Sequence, residues 1–301
     1  MTVLCLSVFS VAVCSVAALM ANANQDLVNH CLSAAVPEIL PAGPLKVLSL
    51  NVSHGRHRAL NQLLVKKERV YENLDKVAQL LERNALDIVA LQEADAASRW
   101  SGSFDHVAYL AETSGMQCRV HGLHSQTWIS SYGTALLSRS KPASSDSIRF
   151  KRSWPSKQKG FVTASFEWPA GGDGNVITFV SVHLDFLRAS VRDQQVGALV
   201  DHLSEIDGPV VLMGDINSQW EESASHVRTL AEKLGLHAHA PESRELGTYK
   251  DASGKRFDWI LVSGELEFRD YRNLSDVVSD HLAVYAEIAL RQSTTSKADA
   301  P

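Results

Sequence analysis

The chain has 301 residues, 45% hydrophobic and 21% charged, with 29 Lys and Arg against 34 Asp and Glu for a formal net charge of -5. That balance supports a full apolar core and excludes a disordered or low-complexity chain. The negative total also excludes a protein drawn to phosphate polymers by its overall field, so any polyanion must be met by a local patch.

In chain order, the first 23 residues carry no charged side chain, and an almost uninterrupted apolar run from Val3 to Met20 ends at Ala21, Asn22 and Ala23. The pattern is that of a secretory signal peptide with an A-x-A cleavage site, although the usual basic residue before the apolar run is missing. An uncleaved N-terminal anchor is the alternative, since the run is nearly long enough to span a bilayer. Periplasmic or secreted location is the expectation. Cleavage after Ala23 removes Cys5 and Cys14 and leaves Cys31 and Cys118. An oxidising compartment favours their pairing, but spacing alone leaves two buried free thiols equally open.

Residues 24–43 read as a short lead-in, residues 44–290 as one continuous domain without a Pro/Gly/Ser-rich linker, and the polar residues 291–301 as a frayed tail. Short apolar runs at 45–52, 86–91, 134–137, 161–166, 176–182, 210–213, 257–262 and 282–288 predict strands. Between Lys66 and Asn84, the residues Val70, Leu74, Val77 and Leu81 recur at helical spacing, as do Val196, Leu199, Leu203 and Ile206 between Arg188 and Ile206. A third helix is expected to start near Glu221 and stop before Gly235, and the run from Gly171 to Asn175 marks a hairpin turn. Some strand pairs are joined by turns and others by helices, which predicts mixed sheets with helices outside.

Polar residues recur where apolar strands end. Asn51 closes LSLN, Glu93 closes IVALQE, His183 closes VSVH, Asp215 and Asn217 close VVLMGDIN, Asp258 interrupts RFDWIL, and Asp280 with His281 precedes LAVYAEI. Any one of these is more often a strand cap or a turn former than a catalyst. Six such events in one chain are another matter.

The ordered series SLNV, LQE, SYGTALLSR, SVHLD, GDIN, RFDWI and SDH, from about Lys46 to Ile288, resembles the motif series of the endonuclease/exonuclease/phosphatase superfamily, the group of the DNase I-like phosphoesterases. The resemblance implies an α/β (α+β) fold, a four-layered sandwich of two mixed β-sheets packed face to face with helices on the outside. It also implies hydrolysis of phosphoester bonds assisted by Mg²⁺ or Mn²⁺, hard cations suited to oxygen ligands. On this likeness Glu93 supplies the metal carboxylate, with Asn51 as a neutral neighbour and Asp280 closing the shell. Asp215 orients or deprotonates water, with Asn217 in the same network. His281 is paired with Asp258, and His183 reaches the phosphate as donor or acid. Tyr132 stands where an aromatic hydroxyl is often found near the phosphate, with packing against the turn as an equal alternative. Ser53 replaces a carboxylate found in some relatives two residues after the first-strand Asn, which lowers the charge of the metal site.

Substrate choice is less legible. The basic run from Arg149 to Lys159, with Arg152 and Trp154 inside it, suits a phosphate backbone or an anionic headgroup as well as it suits a plain solvated loop. His54, Arg56, His57, Arg58 and Arg192 add cationic contacts to the same rim. A nucleic acid or small phosphodiester is the favoured substrate, for a monomer with no obligate protein partner in evidence. A phospholipid phosphodiesterase is the alternative, and no contiguous apolar hairpin for membranes stands out after residue 23. A non-catalytic binding module is the remaining alternative, opposed by the complete motif series. A serine hydrolase is excluded by the absence of G-x-S-x-G.

Overall fold

The computed structural model describes residues 27–171, 176–249 and 254–291. The expected signal segment, the turn after Gly171 and the tail after Arg291 lie outside the described residues.

Among the described residues, thirteen strands and four α-helices follow one another as β1 (Leu27–Cys31), β2 (Leu45–Asn51), α1 (Lys67–Arg83), β3 (Ile88–Asp95), α2 (His106–Ser114), β4 (Cys118–Gln126), β5 (Ser131–Ser138), β6 (Ser144–Arg149), β7 (Gly160–Glu167), β8 (Val176–His183), α3 (Ala189–Leu203), β9 (Val210–Asp215), α4 (His226–Leu234), β10 (Leu236–Ala238), β11 (Asp258–Ser263), β12 (Leu266–Asn273) and β13 (Val284–Leu290). They form a seven-stranded sheet in the order β1-β4-β5-β3-β2-β13-β12 and a six-stranded sheet in the order β10-β11-β9-β8-β7-β6. Both sheets are mixed. In each, one central pair is parallel, β2 with β3 and β8 with β9, and the strands around it run antiparallel.

Three apolar layers separate four structural ones. Val47, Ile88, Ala90, Leu136, Val162, Phe179, Val211, Met213 and Ile260 pack between the two sheets. Their neighbours one position along each strand face outward, as period-two alternation requires. Leu48, Leu50, Val89 and Leu91 meet Leu74, Val77, Leu81 and Leu110 from α1 and α2. On the far side Val180, Val182, Leu212 and Leu261 meet Val196, Leu199, Val227 and Leu230 from α3 and α4. The expected sandwich, with helices outside, is the observed one.

Local chemistry explains where elements begin. The Asp105 carboxylate accepts from Ala108 N and caps α2, a helix that sequence periodicity did not mark. Ser225 Oγ accepts from Arg228 N, so α4 starts at His226 rather than near Glu221. The lead-in contributes β1 to the sheet, and a disulfide joins Cys31 to Cys118 on the neighbouring strand β4.

Candidate active site

The C-terminal ends of β2, β3, β8 and β9 meet at one end of the sandwich. There Asn51 Nδ2 donates to Asp215 Oδ2 at 3.0 Å, bridging the two sheets. Just below, the inter-sheet layer turns from apolar to polar: Gln92 Nε2 donates to Ser181 Oγ at 3.1 Å, and Ser181 Oγ donates to Leu91 O at 3.0 Å. Above this floor opens a cleft of about 560 Å³ whose lining includes Asn51, Glu93, His183, Asp215, Asp280 and His281. A larger hollow of about 710 Å³ at the opposite end, between Leu203 and Gly235, includes Lys233 and Glu265 but none of the strand-end carboxylates or imidazoles.

Glu93 reaches the cleft because β3 is irregular. The register against β5 shifts between Leu91 and Ala94, and Glu93 itself has φ 49°. Gln92 faces the inner layer and Ala94 the outer one, so this bulge re-aims Glu93 toward the other sheet. His54 Nε2 lies 3.3 Å from one Glu93 oxygen and Lys159 Nζ 3.9 Å from the other. Burial alone would raise this carboxyl, but the charges of His54 and Lys159 overcome it and hold Glu93 well below the usual carboxylate range.

Behind Glu93, the His54 Nδ1 atom meets Asp95 Oδ2 at 2.9 Å. The other Asp95 oxygen accepts from Ser98 Oγ at 2.6 Å and Trp100 Nε1 at 3.0 Å. Despite burial, which works the other way, Asp95 and Glu93 raise the pKa of His54. Tyr132 is buried one layer back, its ring edge-on to His54 at 4.6 Å, and it does not line the cleft.

On the second sheet, Asp215 and Asp258 are direct cross-strand partners on β9 and β11. His281 Nδ1 meets Asp258 Oδ2 at 2.7 Å, while its Nε2 faces Asp215 Oδ2 at 3.9 Å. Burial would lower His281, but the Asp258 charge and hydrogen bond prevail and push it up to about 10. Burial and the Asp258 carboxylate push Asp215 up to about 7, against the pull of His281 and the Asn51 hydrogen bond. Asn217, at φ 52°, donates its N–H to Asp215 Oδ1 at 3.1 Å and its side-chain amide to Leu184 O at 3.1 Å. His183 Nε2 lies 3.6 Å from Asp215 Oδ2. Burial first, then the neighbouring Lys159, hold His183 well below its ordinary value, so its ring is neutral.

Asp280 is engaged by Arg56 Nη2 at 2.9 Å and lies at the cleft wall. Arg192 also lines the cleft, anchored to Asp185 O at 2.9 Å. Arg152 and Trp154 stand apart from these residues, in a separate shallow recess of about 150 Å³ shared with Ser125 and Thr127. The cleft thus gathers Asn51, Glu93, His183, Arg192, Asp215, Asn217, Asp280 and His281, and leaves Tyr132, Arg152 and Trp154 outside its lining.

Lys159 is the residue that sequence reasoning missed. In sequence it belongs to the basic run Arg149 to Lys159, whose composition suits a solvated or phosphate-gripping loop. In the fold it is 7% exposed, and its Nζ lies 3.1 and 3.0 Å from the two ring nitrogens of His183. Its one sequence signal was its place directly before the apolar strand GFVTASF, which puts it at a strand end like the other site residues. His54, placed on the cationic rim by sequence, is instead buried beneath Glu93.

The fold is a two-sheet sandwich with carboxylates, amides and imidazoles gathered at one end. The model of the Endonuclease/Exonuclease/phosphatase family matches residues 48–281, and the chain belongs to that family. No curated protein matches it by sequence. Among solved structures, a family protein from Leptotrichia buccalis C-1013-b is similar at 18% identity and TM-score 0.64, over 82% of this chain and 100% of that one. The human Nocturnin catalytic domain with bound sulfate is similar at 20% identity and TM-score 0.60, over 84% and 97%. The mannosyl-6-phosphatase Bt3783 from Bacteroides thetaiotaomicron is similar at 15% identity and TM-score 0.59, over 82% and 100%. At such identities the likeness is one of fold.

Proposed function

We propose that this protein is an exported, divalent-metal-dependent phosphodiesterase. The observation that carries the reading is the placement of Asp215 and the Asp258-oriented His281 on one wall of the cleft, with Glu93 on the sheet opposite. Diester hydrolysis needs a water activated on one side of phosphorus, a cationic environment for the non-bridging oxygens, and a proton for the leaving oxygen.

Asp215 is the group that holds and deprotonates water, and Asn51 and Asn217 fix its two oxygens. His281, kept protonated by Asp258, offers Nε2–H to a phosphoryl oxygen on the cleft side, with Asp215 Oδ2 3.9 Å from that nitrogen. Lys159 places its ammonium beside His183; burial lowers its pKa, and the carboxylates of Glu93, Asp215 and Asp185 oppose that loss of charge. Neutral His183 hydrogen-bonds the phosphoryl group from the other side, and Arg192 extends the cationic wall.

The donor set fits a hard cation. Glu93, Asn51 and Asp280 offer carboxylate and amide oxygens to one cleft. The Glu93 neighbours, at 3.3 and 3.9 Å, stand farther away than the 2.7–2.9 Å of a charge-assisted hydrogen bond, leaving its oxygens available. Asp215, Asp258 and His281 also offer ligand atoms within 4.8 Å of one another. An ion there would have to break the 2.7 Å bond between His281 and Asp258, so we assign Mg²⁺ or Mn²⁺ to Glu93, Asn51 and Asp280. When bound, the ion neutralises phosphoryl charge.

Export is supported by the apolar N-terminal segment and by the Cys31–Cys118 disulfide, a bond that persists in oxidising compartments. The test is hydrolysis of bis(p-nitrophenyl) phosphate and p-nitrophenyl phosphate by the mature protein, with Mg²⁺, with Mn²⁺ and with chelator. Metal-dependent turnover of the diester is the expected result. Turnover of the monoester alone would overturn the diesterase assignment, and indifference to chelator would overturn the metal.

A further inference from the structure

Among the described residues, twelve large apolar side chains are exposed, and nine of them sit on loops at the catalytic end. The most exposed of these nine are Leu60, Leu63, Leu64, Trp128, Trp154 and Phe186. Antiparallel register fixes their common location. Gln126 pairs with Ser131, Arg149 with Gly160 and Gly160 with His183, so the loops bearing Trp128, Trp154 and Phe186 all emerge beside the cleft. The segment bearing the three leucines follows Asn51 directly. Both tryptophans are about four-fifths exposed, Trp128 at 79% and Trp154 at 80%, far more than their apolar area favours in water.

The loops form a connected collar. Gln62 Nε2 reaches Trp100 O at 3.5 Å, and the Arg99 guanidinium lies 5.8 Å from the Trp128 ring centre. Trp154 shares its recess with Ser125 and Thr127 of the Trp128 hairpin, and Arg188 Nη2 donates to Ser153 O and Ser153 Oγ, tying the Trp154 loop to the Phe186 loop.

Charge follows the same face. Segments 52–66, 127–130 and 150–159 together hold seven Lys and Arg and no Asp or Glu, in a chain whose total is -5. Exposed Arg58, Lys66, Arg99, Lys151, Arg152 and Lys157 thus lie on the segments that carry the leucines and tryptophans or next to them, while the Phe186 and Val277 loops carry Asp185 and Asp276.

We propose that this collar docks the cleft onto an anionic phospholipid bilayer, so that the site works on phosphodiesters presented at a membrane surface. Tryptophans and leucines among basic residues fit the boundary between acyl chains and anionic headgroups. A single-stranded polynucleotide fits less well: bases stack on aromatic rings, and Leu60, Leu63 and Leu64 offer none. The proposal rests on the phosphodiesterase reading for its catalytic meaning, but docking is measured without turnover.

The experiment is co-flotation of metal-free mature protein with vesicles of phosphatidylcholine, alone or with roughly 30% phosphatidylglycerol. It is run beside the Leu60→Ser/Leu64→Ser/Trp128→Ser and Lys151→Glu/Lys157→Glu variants. Wild type is expected to partition onto the anionic vesicles, and each variant to lose about ten-fold or more in partition. The serine variant, altered only at exposed positions, is expected to hydrolyse bis(p-nitrophenyl) phosphate at the wild-type rate. Failure of wild type to float, undiminished partition of both variants, or loss in the variants of single-stranded oligonucleotide binding instead of vesicle binding would each overturn the proposal. Inert wild type on the soluble diester with intact flotation would overturn the enzyme reading and leave docking standing.

Discussion

Asp215 and Asp258 stand as cross-strand partners on β9 and β11, and His281 approaches both, 2.7 Å from Asp258 and 3.9 Å from Asp215. Two buried carboxylates so placed cannot both carry full charge cheaply, and the shared imidazolium is what reconciles them.

Asp215→Asn removes the proposed base and His281→Gln the proposed cation opposite it. Each is expected to reduce kcat on a soluble diester by about 10³-fold or more, with the double variant far short of the product of the two. Steady-state kinetics of the three proteins check this, and additive losses would show that the residues act independently.

The raised pKa of His281 has a stability consequence in the metal-free protein. Its folded value of about 10 lies above its ordinary value near 6.5, so the folded state binds the proton more tightly. The contribution is fully present below about pH 6.5 and is lost as pH rises towards about 10. Denaturant unfolding across that window, in chelator, should show wild type losing stability that His281→Gln does not lose. Equal slopes in the two proteins would contradict the assignment.

Lys159→Met should lower kcat/KM by about 10²-fold or more, the scale of one lost group that stabilises transition-state charge. Lys159→Arg should recover part of it. Mn²⁺ affinity, measured by titration calorimetry, should not weaken in the Met variant, because Lys159 Nζ, 3.9 Å from Glu93, is too far to hold that carboxylate in position by a hydrogen bond.

His54 acts through Glu93, held in place by Asp95. His54→Ala is expected to weaken Mn²⁺ binding by about 10- to 100-fold, as removal of a group that orients a metal ligand does. Asp95→Asn should produce the same direction of change. Unchanged affinity in both would reduce the network to packing.

Cys31→Ser opens a loop of 87 residues in sequence separation, whose closure stabilises the fold by roughly 4–5 kcal/mol on chain-entropy grounds. Thermal unfolding with and without reductant is the check: wild type should become less stable on reduction and the variant should not respond.

How much of this was legible in the sequence differs by element. Long runs such as Val176–His183 and the amphipathic helix at Lys67–Arg83 declare themselves, since both faces of a central strand and one face of a covering helix are apolar. The strands β4, β6 and β12, with sequences CRVHGLHSQ, SSDSIR and LEFRDYRN, do not. They lie at or near sheet edges, where neighbours rather than composition hold them extended.

The order of the strand-end residues Asn51, Glu93, His183, Asp215, Asp258 and His281 is readable along the chain, because local rules put polar groups where apolar strands stop. Which of them meet is set by packing between strands far apart in the chain. The bulge that turns Glu93, the burial of Lys159 and His54, the withdrawal of Tyr132 and the gathering of scattered leucines and tryptophans around one cleft all depend on register between strands distant in the chain. No window of sequence contains both partners of such a contact, and a one-residue slip would send each side chain to the other face.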